Sequence, residues 1–325
     1  MPGAAPGWHA GPVQRIPSRL TELAPGVHAY IQPDGGWCLN NAGVVAGDGA
    51  TLLVDTAATQ ARTEALRAAI AAVTPEPVSI VVNTHHHGDH THGNYLFADT
   101  ARILGHPRCA EEVVRQGDLL RHLWPAVAWG AVRPVGPTEA VEQRTGLDVG
   151  GIRVLLEPVA AAHTADDLIA FLPDHGVLFA GDLVFSGGTP FILFGSLTGA
   201  RAALGRLRAL GAEIVVAGHG VVGGAALFDV PERYLDWLAE LAADGMRRGL
   251  TPRELAAKTD LGEFGTLLNP ERLPANLQRA YADFAAEAGL PQSEWGWLPA
   301  GIDVVTAGIQ DIVAFGDGSM PECAA

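Results

Sequence analysis

The segment THHHGDHTHGN, residues 84–94, places five histidines and one aspartate within eleven positions. Alternate residues of an extended segment point the same way, so the imidazoles of His85 and His87 can converge on one cation. A glycine then permits a sharp turn, after which Asp89 and His90 can face a second point nearby. Imidazole and carboxylate groups are ligands of zinc and related ions. The segment therefore offers two ligands to each of two adjacent metal sites.

Three later residues of ligand type could complete these sites, because a catalytic zinc usually takes about three protein groups and keeps one position for water. His163 in PVAAAHTADD, Asp182 in LFAGD and His219 in VVAGHG each stand where an apolar strand ends. An ordinary loop function for every one of these residues would require several independent coincidences, so we predict a metal site. His86 should point away from it by the same alternation, and His92 is interpreted as a structural or supporting residue.

Composition limits the classes of partner. The chain has 325 residues, 48% of them apolar, which suffices for one large domain or for one domain with an appendage. Its net charge is −15, Lys258 is its single lysine, and its longest basic run is Arg247-Arg248. A nucleic-acid-binding protein needs clustered cations, so DNA and RNA are not expected as partners.

The cysteines and the apolar runs bear on the cellular compartment. Cys38, Cys109 and Cys323 are odd in number and far apart, which is not a disulfide framework and suits a reducing cytoplasm. The first residues do not resemble a secretory signal, and no stretch approaches 18 uninterrupted apolar residues. We expect a soluble cytoplasmic protein without a membrane span.

The pattern of strands and helices predicts the fold. Apolar, β-branched runs bounded by turn residues indicate strands at 26–32, 38–47, 51–56, 78–84, 102–106, 151–158, 166–173, 176–182 and 212–220. Helical spacing indicates helices at 59–73, 110–124 and 198–211. Two similar halves, with strands too apolar to face water, predict two packed sheets with helices outside, a four-layer αββα sandwich of the α/β class.

Two further segments flank this sandwich. Residues 1–23 are predicted to be an N-terminal arm and residues 24–228 the α/β domain, whereas residues 229–325 are predicted to be a helical extension packed on the sandwich or on a second subunit. The helices of the extension are expected at 230–249, 251–259 and 274–289. Trp295 and Trp297 look exposed and indicate a partner surface, such as that of a homo-oligomer.

The chain resembles the metallo-β-lactamase fold superfamily, whose HxHxDH motif corresponds to HHHGDH at residues 85–90, over roughly residues 24–225. The resemblance implies two metal sites of three ligands each and a bridging carboxylate. These are His85, His87 and His163 for site one, Asp89, His90 and His219 for site two, and Asp182 as the bridge. The early aspartate of the family matches Asp55 in LLVDT, which would support the metal loop through hydrogen bonds.

The chemistry expected of this centre is hydrolysis. Two cations about 3.5–4 Å apart lower the pKa of a water held between them and polarise a carbonyl group. Asp182 would hold both ions, and Asp89 could orient the hydroxide or pass a proton to the leaving group. Two Zn²⁺ are expected, with Mn²⁺ or iron as alternatives. Members of the family that perform iron redox chemistry tend to have Glu where His87 stands, and zinc β-lactamases with a cysteine ligand differ at Asp89.

A narrower resemblance indicates the substrate. The stretches at 35–45, 123–130 and 179–197 are similar to those of bacterial polyketide cyclase/thioesterases of this fold. This resemblance implies an aromatic substrate, tethered to an acyl carrier protein, that undergoes ring closure or thioester hydrolysis. Six aromatic residues are expected to surround an apolar cleft suited to flat ring systems: Trp37, Trp124, Trp129, Phe185, Phe191 and Phe194.

Other functions stay open at this stage. The net charge of −15 opposes the docking of an acidic carrier protein unless arginines cluster locally. A lactonase, a glyoxalase-like thioesterase or another small-ester hydrolase would use the same ligands. A non-catalytic metal-binding partner protein is a different class, which the complete ligand set disfavours. The ring system, the balance of hydrolysis and cyclisation, the metal and the oligomeric state are left open.

Overall fold

The computed structural model describes residues 18–299 and 301–316. Its strands are β1 Arg19–Ala24, β2 Val27–Ile31, β3 Ala42–Gly47, β4 Ala50–Val54, β5 Val78–Val82, β6 Arg102–Gly105, β7 Glu139–Ala140, β8 Thr145–Val149, β9 Ile152–Pro158, β10 Leu168–Leu172, β11 Val177–Phe185 and β12 Ile214–His219. They form a seven-stranded sheet in the order β1 to β7 and a five-stranded sheet in the order β12-β11-β10-β9-β8. Both sheets are mixed, with parallel pairing between β4 and β5 and between β11 and β12.

The helices flank the two sheets or follow them. They are α1 Gln60–Ala71, α2 Gly88–Thr91, α3 Pro107–Gln116, α4 Leu119–Leu123, α5 Leu197–Ala209, α6 Asp229–Arg247, α7 Pro252–Lys258, α8 Leu273–Glu287 and α9 Val304–Phe315. Short 3₁₀ turns occupy His92–Leu96, Ala225–Phe228, Gly262–Thr266, Pro270–Arg272 and Gln292–Glu294. Among the helices of residues 18–299 and 301–316, none is long and apolar enough to cross a membrane.

Apolar side chains fill three layers of packing. Leu52 of the first sheet and Phe179 of the second lie in one buried cluster between the sheets. Leu66 of α1 packs on the outer face of the first sheet, and Leu204 of α5 packs on the outer face of the second. Because both faces of each sheet are covered, the strands can be apolar throughout. The predicted four-layer αββα sandwich is confirmed.

The extension shares the core of the sandwich. Leu238 of α6 and Leu277 of α8 belong to the same buried cluster as Leu204. Trp295 and Trp297 stack with their ring centroids 5.4 Å apart, and both are partly buried against the chain itself. Neither tryptophan is fully exposed, contrary to expectation, and the partner surface stays a prediction.

The elements differ from the sequence prediction at several boundaries. Residues 19–23, assigned to the arm, lie in β1, which pairs antiparallel with β2; its half-exposed residues give only a weak strand signal. Residues 1–17 of the predicted arm lie outside the described residues. The predicted helix at 110–124 is divided into α3 and α4 near Gly117, where a Cβ would lie 2.5 Å from Pro134. Strands β7 and β8 and helix α9 were missed.

The fold gathers strand ends on one edge. In the first sheet β4 and β5 run parallel, and in the second sheet β11 and β12 run parallel, so within each sheet the carboxyl ends of the pair lie on the same side. The segment after β5 and the end of β12 meet at one edge of the sandwich. The loop after β9 and the end of β11 reach the same edge, where the ligand-type residues of all four segments come together.

Candidate metal centre

The structure brings the seven predicted ligands together in two adjacent groups, and within each group the ligand atoms lie within 4.8 Å of one another. The first group is His85, His87, His163 and Asp182, and the second group is Asp89, His90 and His219. The Asp182 carboxylate lies between them. One of its oxygens is 3.4 Å from His163 Nε2 and 3.5 Å from His219 Nε2, and the other is 3.1 Å from His90 Nε2. This position suits a bridging ligand.

The histidine loop turns at Gly88, as its sequence predicts. His85 and His87 follow β5 in a bent segment instead of an extended one, and helix α2 begins directly afterwards at Gly88. A Cβ at Gly88 would lie 2.3 Å from the ring of His92, so only glycine fits this turn. The turn places Asp89 and His90 in the second group instead of the first.

Hydrogen bonds fix the ring orientations of four of the histidines. In each of them Nδ1 contacts an oxygen atom, and Nε2 is turned toward the centre. These contacts are His85 with Thr84 Oγ1 at 3.0 Å, His90 with Asp55 Oδ2 at 2.8 Å, His163 with the carbonyl of Phe191 at 2.6 Å and His219 with the carbonyl of Gly36 at 3.2 Å. Such outer contacts are typical of metal-ligating histidines.

The donor atoms fit divalent cations. In the described part of the chain, the buried Nε2 atoms of His85 and His87 have no hydrogen-bond partner. Leaving such an atom unpaired costs about 1–3 kcal/mol. A cation that accepts both lone pairs removes this cost. Five nitrogen donors and two carboxylates suit zinc and related ions.

The first group has neutral imidazoles. Burial, followed by the neighbouring imidazoles, lowers the pKa of His85 and of His87 well below the usual value. Burial also lowers the pKa of His163 to about 4. These three rings are therefore uncharged near neutral pH, and no positive charge on them repels a cation.

The second group has rings paired with carboxylates. Burial works to lower the pKa of His90, but the carboxylates of Asp182, Asp55 and Asp89 outweigh it and raise this pKa well above the usual value. The pKa of His219 is raised by Asp182 and Asp89 against the same effect of burial. Burial would raise the pKa of Asp182, but His219 and His90 hold it well below its usual range.

Asp55 connects the end of β5 to the second group. One of its oxygens accepts the backbone N–H of Thr84 at 2.8 Å. The other accepts the Thr84 hydroxyl at 2.7 Å and contacts His90 Nδ1 at 2.8 Å. The residue has a φ of 62°, a conformation uncommon outside glycine. Its geometry matches the supporting role that the resemblance implied.

Sequence reasoning missed the carboxylate that holds the His163 loop. The Asp167 side chain is buried and accepts the backbone N–H groups of Ala162, His163 and Thr164, at distances of 2.8 to 3.2 Å. The signal was available, because the two aspartates of AAHTADD follow the histidine closely. An aspartate that accepts N–H groups of the preceding residues is a common way to fix a loop.

Two histidines of the loop lie outside both groups, as the sequence predicted. The Nδ1 atom of His86 contacts Asp166 at 2.7 Å instead of facing the centre. The ring of His92 bridges two backbone carbonyls, those of Ala58 at 3.0 Å and Gly117 at 3.1 Å. His92 therefore connects α2 to the residues before α1 and after α3.

Four of the six predicted aromatic residues lie together on the side of the first group. The ring of Phe194 is 4.8 Å from that of His87, and the ring of Phe191 is 6.3 Å from it. Trp37 packs on Phe191 and on Trp124, with ring centroids 5.5 Å apart in both pairs. His87 is partly exposed, so these rings surround the accessible side of the first group.

The other two aromatic residues have different surroundings. Phe185 is 3% exposed and stacks on His219, with ring centroids 5.3 Å apart. Trp129 is 6% exposed and packs on His92 at 5.7 Å. Trp129 also lines a groove of about 290 Å³ together with Asp118, Arg121, His122 and Pro125. Neither ring joins the four that surround His87.

Comparison with known proteins gives a family match and curated relatives. The family model of the Metallo-beta-lactamase superfamily matches residues 35–219. A hydroxyacylglutathione hydrolase of Methylococcus capsulatus is 34% identical over 171 residues, which are 52% of this chain and 57% of that protein. The chain thus matches just over half of the length of this relative.

Solved structures share the fold at low sequence identity. A metallo-beta-lactamase from Pontibacter korlensis has a TM-score of 0.58 at 20% identity and covers 68% of this chain and 99% of its own. The FIM-1 metallo-beta-lactamase from Pseudomonas aeruginosa, in its mono-zinc form, has a TM-score of 0.56 at 18% identity, over 69% of this chain and 97% of its own. A metallo-beta-lactamase from Erythrobacter litoralis, with beta-mercaptoethanol in its active site, has a TM-score of 0.54 at 21% identity, over 67% of this chain and 95% of its own.

Proposed function

Because the chain belongs to the metallo-beta-lactamase superfamily, we propose that it is a metal-dependent hydrolase of acyl thioesters and that its preferred acyl group is an aromatic polyketide. The observation that carries the hydrolase assignment is the convergence of seven ligand-type side chains from four segments of the chain in two adjacent groups. A purely structural role for buried, unpartnered imidazole nitrogens would be costly.

Two Zn²⁺ are the proposed occupants, with Mn²⁺ or iron as alternatives for the same donor set. His85, His87 and His163 would hold one ion, Asp89, His90 and His219 the other, and Asp182 both. When bound, such ions supply an activated water and polarise a carbonyl oxygen. The residues of the chain orient the substrate and handle protons.

Two carboxylates have distinct roles in this proposal. Asp182 is 7% exposed, and its lowered pKa keeps it ionised between the two groups. Asp89 has a lowered pKa as well, because His90 and His219 outweigh the effect of burial. Asp89 is 8% exposed and lies in the second group. It is the group proposed to orient the attacking water and to pass a proton to the leaving thiol.

The aromatic residues support an aromatic acyl group. Phe191, Phe194, Trp37 and Trp124 together present an apolar wall beside His87. Flat ring systems pack on such walls, and exclusion of water strengthens the electrostatic interactions of the site. A carrier protein as the donor of the acyl group, a cytoplasmic location and a homo-oligomer remain parts of the proposal.

A second candidate is a hydrolase of small hydroxyacyl thioesters. It is favoured by the similarity to a hydroxyacylglutathione hydrolase, whose named substrate is a glutathione thioester. Both candidates require the same bond cleavage and differ in the size of the acyl group. Lactones would be attacked at the same carbonyl position, so a lactonase belongs in the same test.

A substrate panel with metal-loaded protein tests the proposal. It consists of an aromatic β-ketoacyl thioester, a hydroxyacylglutathione, simple lactones and a β-lactam. The highest kcat/KM is expected for the aromatic thioester, with release of free thiol as the measured signal. A preference for hydroxyacylglutathione would support the second candidate. Turnover of lactones or β-lactams alone would contradict both thioester assignments, and turnover equally fast after metal removal would contradict the metal centre.

A further inference from the structure

The extension buries one arginine next to the metal centre. Arg272 is the last residue of the 3₁₀ turn before α8, and it is 1% exposed. Its side chain is among the largest that are fully buried in the described part of the chain. Arg272 lies outside the sequence motifs and has no part in the proposed hydrolysis.

The guanidinium is enclosed by aromatic rings. Its central carbon lies 4.0 Å from the ring centroid of Trp37 and 4.8 Å from that of Phe185. Phe185 in turn stacks on the ring of His219, with an interplanar angle of 16°. Trp37, Arg272, Phe185 and His219 therefore form one continuous series of packed planar groups. The series ends at a ligand of the second group.

The charge of Arg272 has no direct counter-ion. Among residues 18–299 and 301–316, no carboxylate forms an ion pair with it, and its Nε has no hydrogen-bond acceptor. One terminal nitrogen donates to the carbonyl of Thr189 at 2.8 Å. A buried cation is costly unless it is compensated, and cation–π contacts contribute about 2 kcal/mol or more when desolvated. The aromatic faces provide that compensation.

Two contacts hold the ring of His219, and they come from a member of this series and from the residue before Trp37. Phe185 packs on its ring face, and the carbonyl of Gly36, next to Trp37 in sequence, contacts its Nδ1 at 3.2 Å. The indole N–H of Trp37 donates to Glu271 at 2.5 Å. Consecutive residues of the extension therefore hold Trp37 by its ring face and by its N–H group.

We propose that Arg272 is a positioning residue that fixes His219 in the second ligand group through Phe185 and the Trp37 segment. The extension thereby becomes part of the metal centre. The inference rests on the metal centre of the proposed function but not on its substrate. Because a guanidinium is planar and stacks on rings, lysine does not replace it fully.

Cobalt titration of the full-length, metal-depleted protein tests this role. The visible absorption of bound Co²⁺ reports ligand geometry, and the titration gives the affinity of each binding step. The wild type is expected to bind Co²⁺ in two steps, of which the second fills the second ligand group. Arg272→Met should weaken the second step by about 10–100-fold and change its absorption bands, because loss of outer support typically has this effect on metal affinity. The first step should be unchanged.

Three further variants complete the experiment. Arg272→Lys should weaken the second step less than Arg272→Met. Phe185→Leu should reproduce the Arg272→Met effect, and the double variant should show no further loss, because both act through the same contact. Arg253→Met is the matched control. It removes an arginine of the extension that pairs with Asp311 at 2.8 Å, and it should leave both steps unchanged.

The outcomes separate this inference from the proposed function. A wild type that binds no divalent ion contradicts the proposed function itself. A wild type with two steps and a folded Arg272→Met with the same affinities and bands overturns the inference. If Arg272→Met does not fold, Arg272→Lys decides in the same way. Additive losses in the double variant overturn the transmission through Phe185.

Discussion

The two ligand groups lie side by side but are built differently. In the first group, the outer nitrogens of His85 and His163 contact a hydroxyl and a backbone carbonyl, and burial lowers the pKa values of its imidazoles. In the second group, His90 and His219 face carboxylates, and their pKa values are raised. The first group is therefore ready to bind a cation, whereas the second must release protons first. We expect the first group to be occupied before the second.

Replacement of Asp182 should have the largest effect, because it removes the one carboxylate that lies between the groups. Asp182→Ala is expected to abolish binding of the second ion, weaken that of the first and lower kcat/KM by on the order of 10³-fold. Metal content by elemental analysis and thioester turnover are the measurements. The control is Asp311→Asn, a buried carboxylate of the extension. Two ions and normal turnover in Asp182→Ala would refute the bridging position.

Replacement of Asp55 should separate the two groups. Asp55→Asn keeps an oxygen for the Thr84 N–H but loses the charge opposite His90 Nδ1. The affinity for the second ion should fall by about 10–100-fold, with a smaller change for the first. Stepwise metal titration measures both. An equal loss of affinity at the two steps would mean that Asp55 supports the whole histidine loop. The expectation that Asp55 acts mainly on the second group would then be wrong.

The sequence predicted the fold class and the candidate ligands because both depend on local patterns. Apolar strand runs end at a polar residue, as at His219, or are interrupted by one, as at Asp182, and sheet topology brings these positions to one edge. Asp55 was identified through the resemblance, and its contacts with Thr84 and His90 agree with it. The alternation of His85 and His87 along the chain was sufficient to place them in one group, although the backbone bends there.

The features that escaped prediction depend on contacts between distant segments. Arg272 lies 235 positions after Trp37, and no local pattern indicates that the two side chains stack. Phe185 and Trp129 were assigned to the cleft because they are aromatic and close in sequence to Asp182 and Trp124, whereas their rings pack on His219 and His92. Whether an aromatic residue faces a cleft or a core is decided by tertiary packing, which the sequence of one strand does not encode.

Truncation of Phe194 tests whether substrate approaches over the first group. Its ring is 4.8 Å from that of His87, so Phe194→Ala should raise KM for an aromatic thioester about tenfold, with little change for a small hydroxyacyl thioester. Trp129→Phe serves as the control, because Trp129 packs on His92 instead. Equal effects of both variants on both substrates would contradict an approach over His87.

The two ion-binding steps should also differ in their pH dependence. In the metal-free protein His163, with a pKa of about 4, is already neutral at pH 6, so protons do not compete for the first ion. His90 and His219, with raised pKa values, retain protons that the second ion must displace. The affinity for the second ion should therefore fall about tenfold per pH unit for each proton displaced as the pH decreases from 8 to 6. Calorimetric titrations in buffers of different ionisation enthalpy count the protons released at each step. Proton release at the first step alone would reverse the assignment of the neutral and the protonated group.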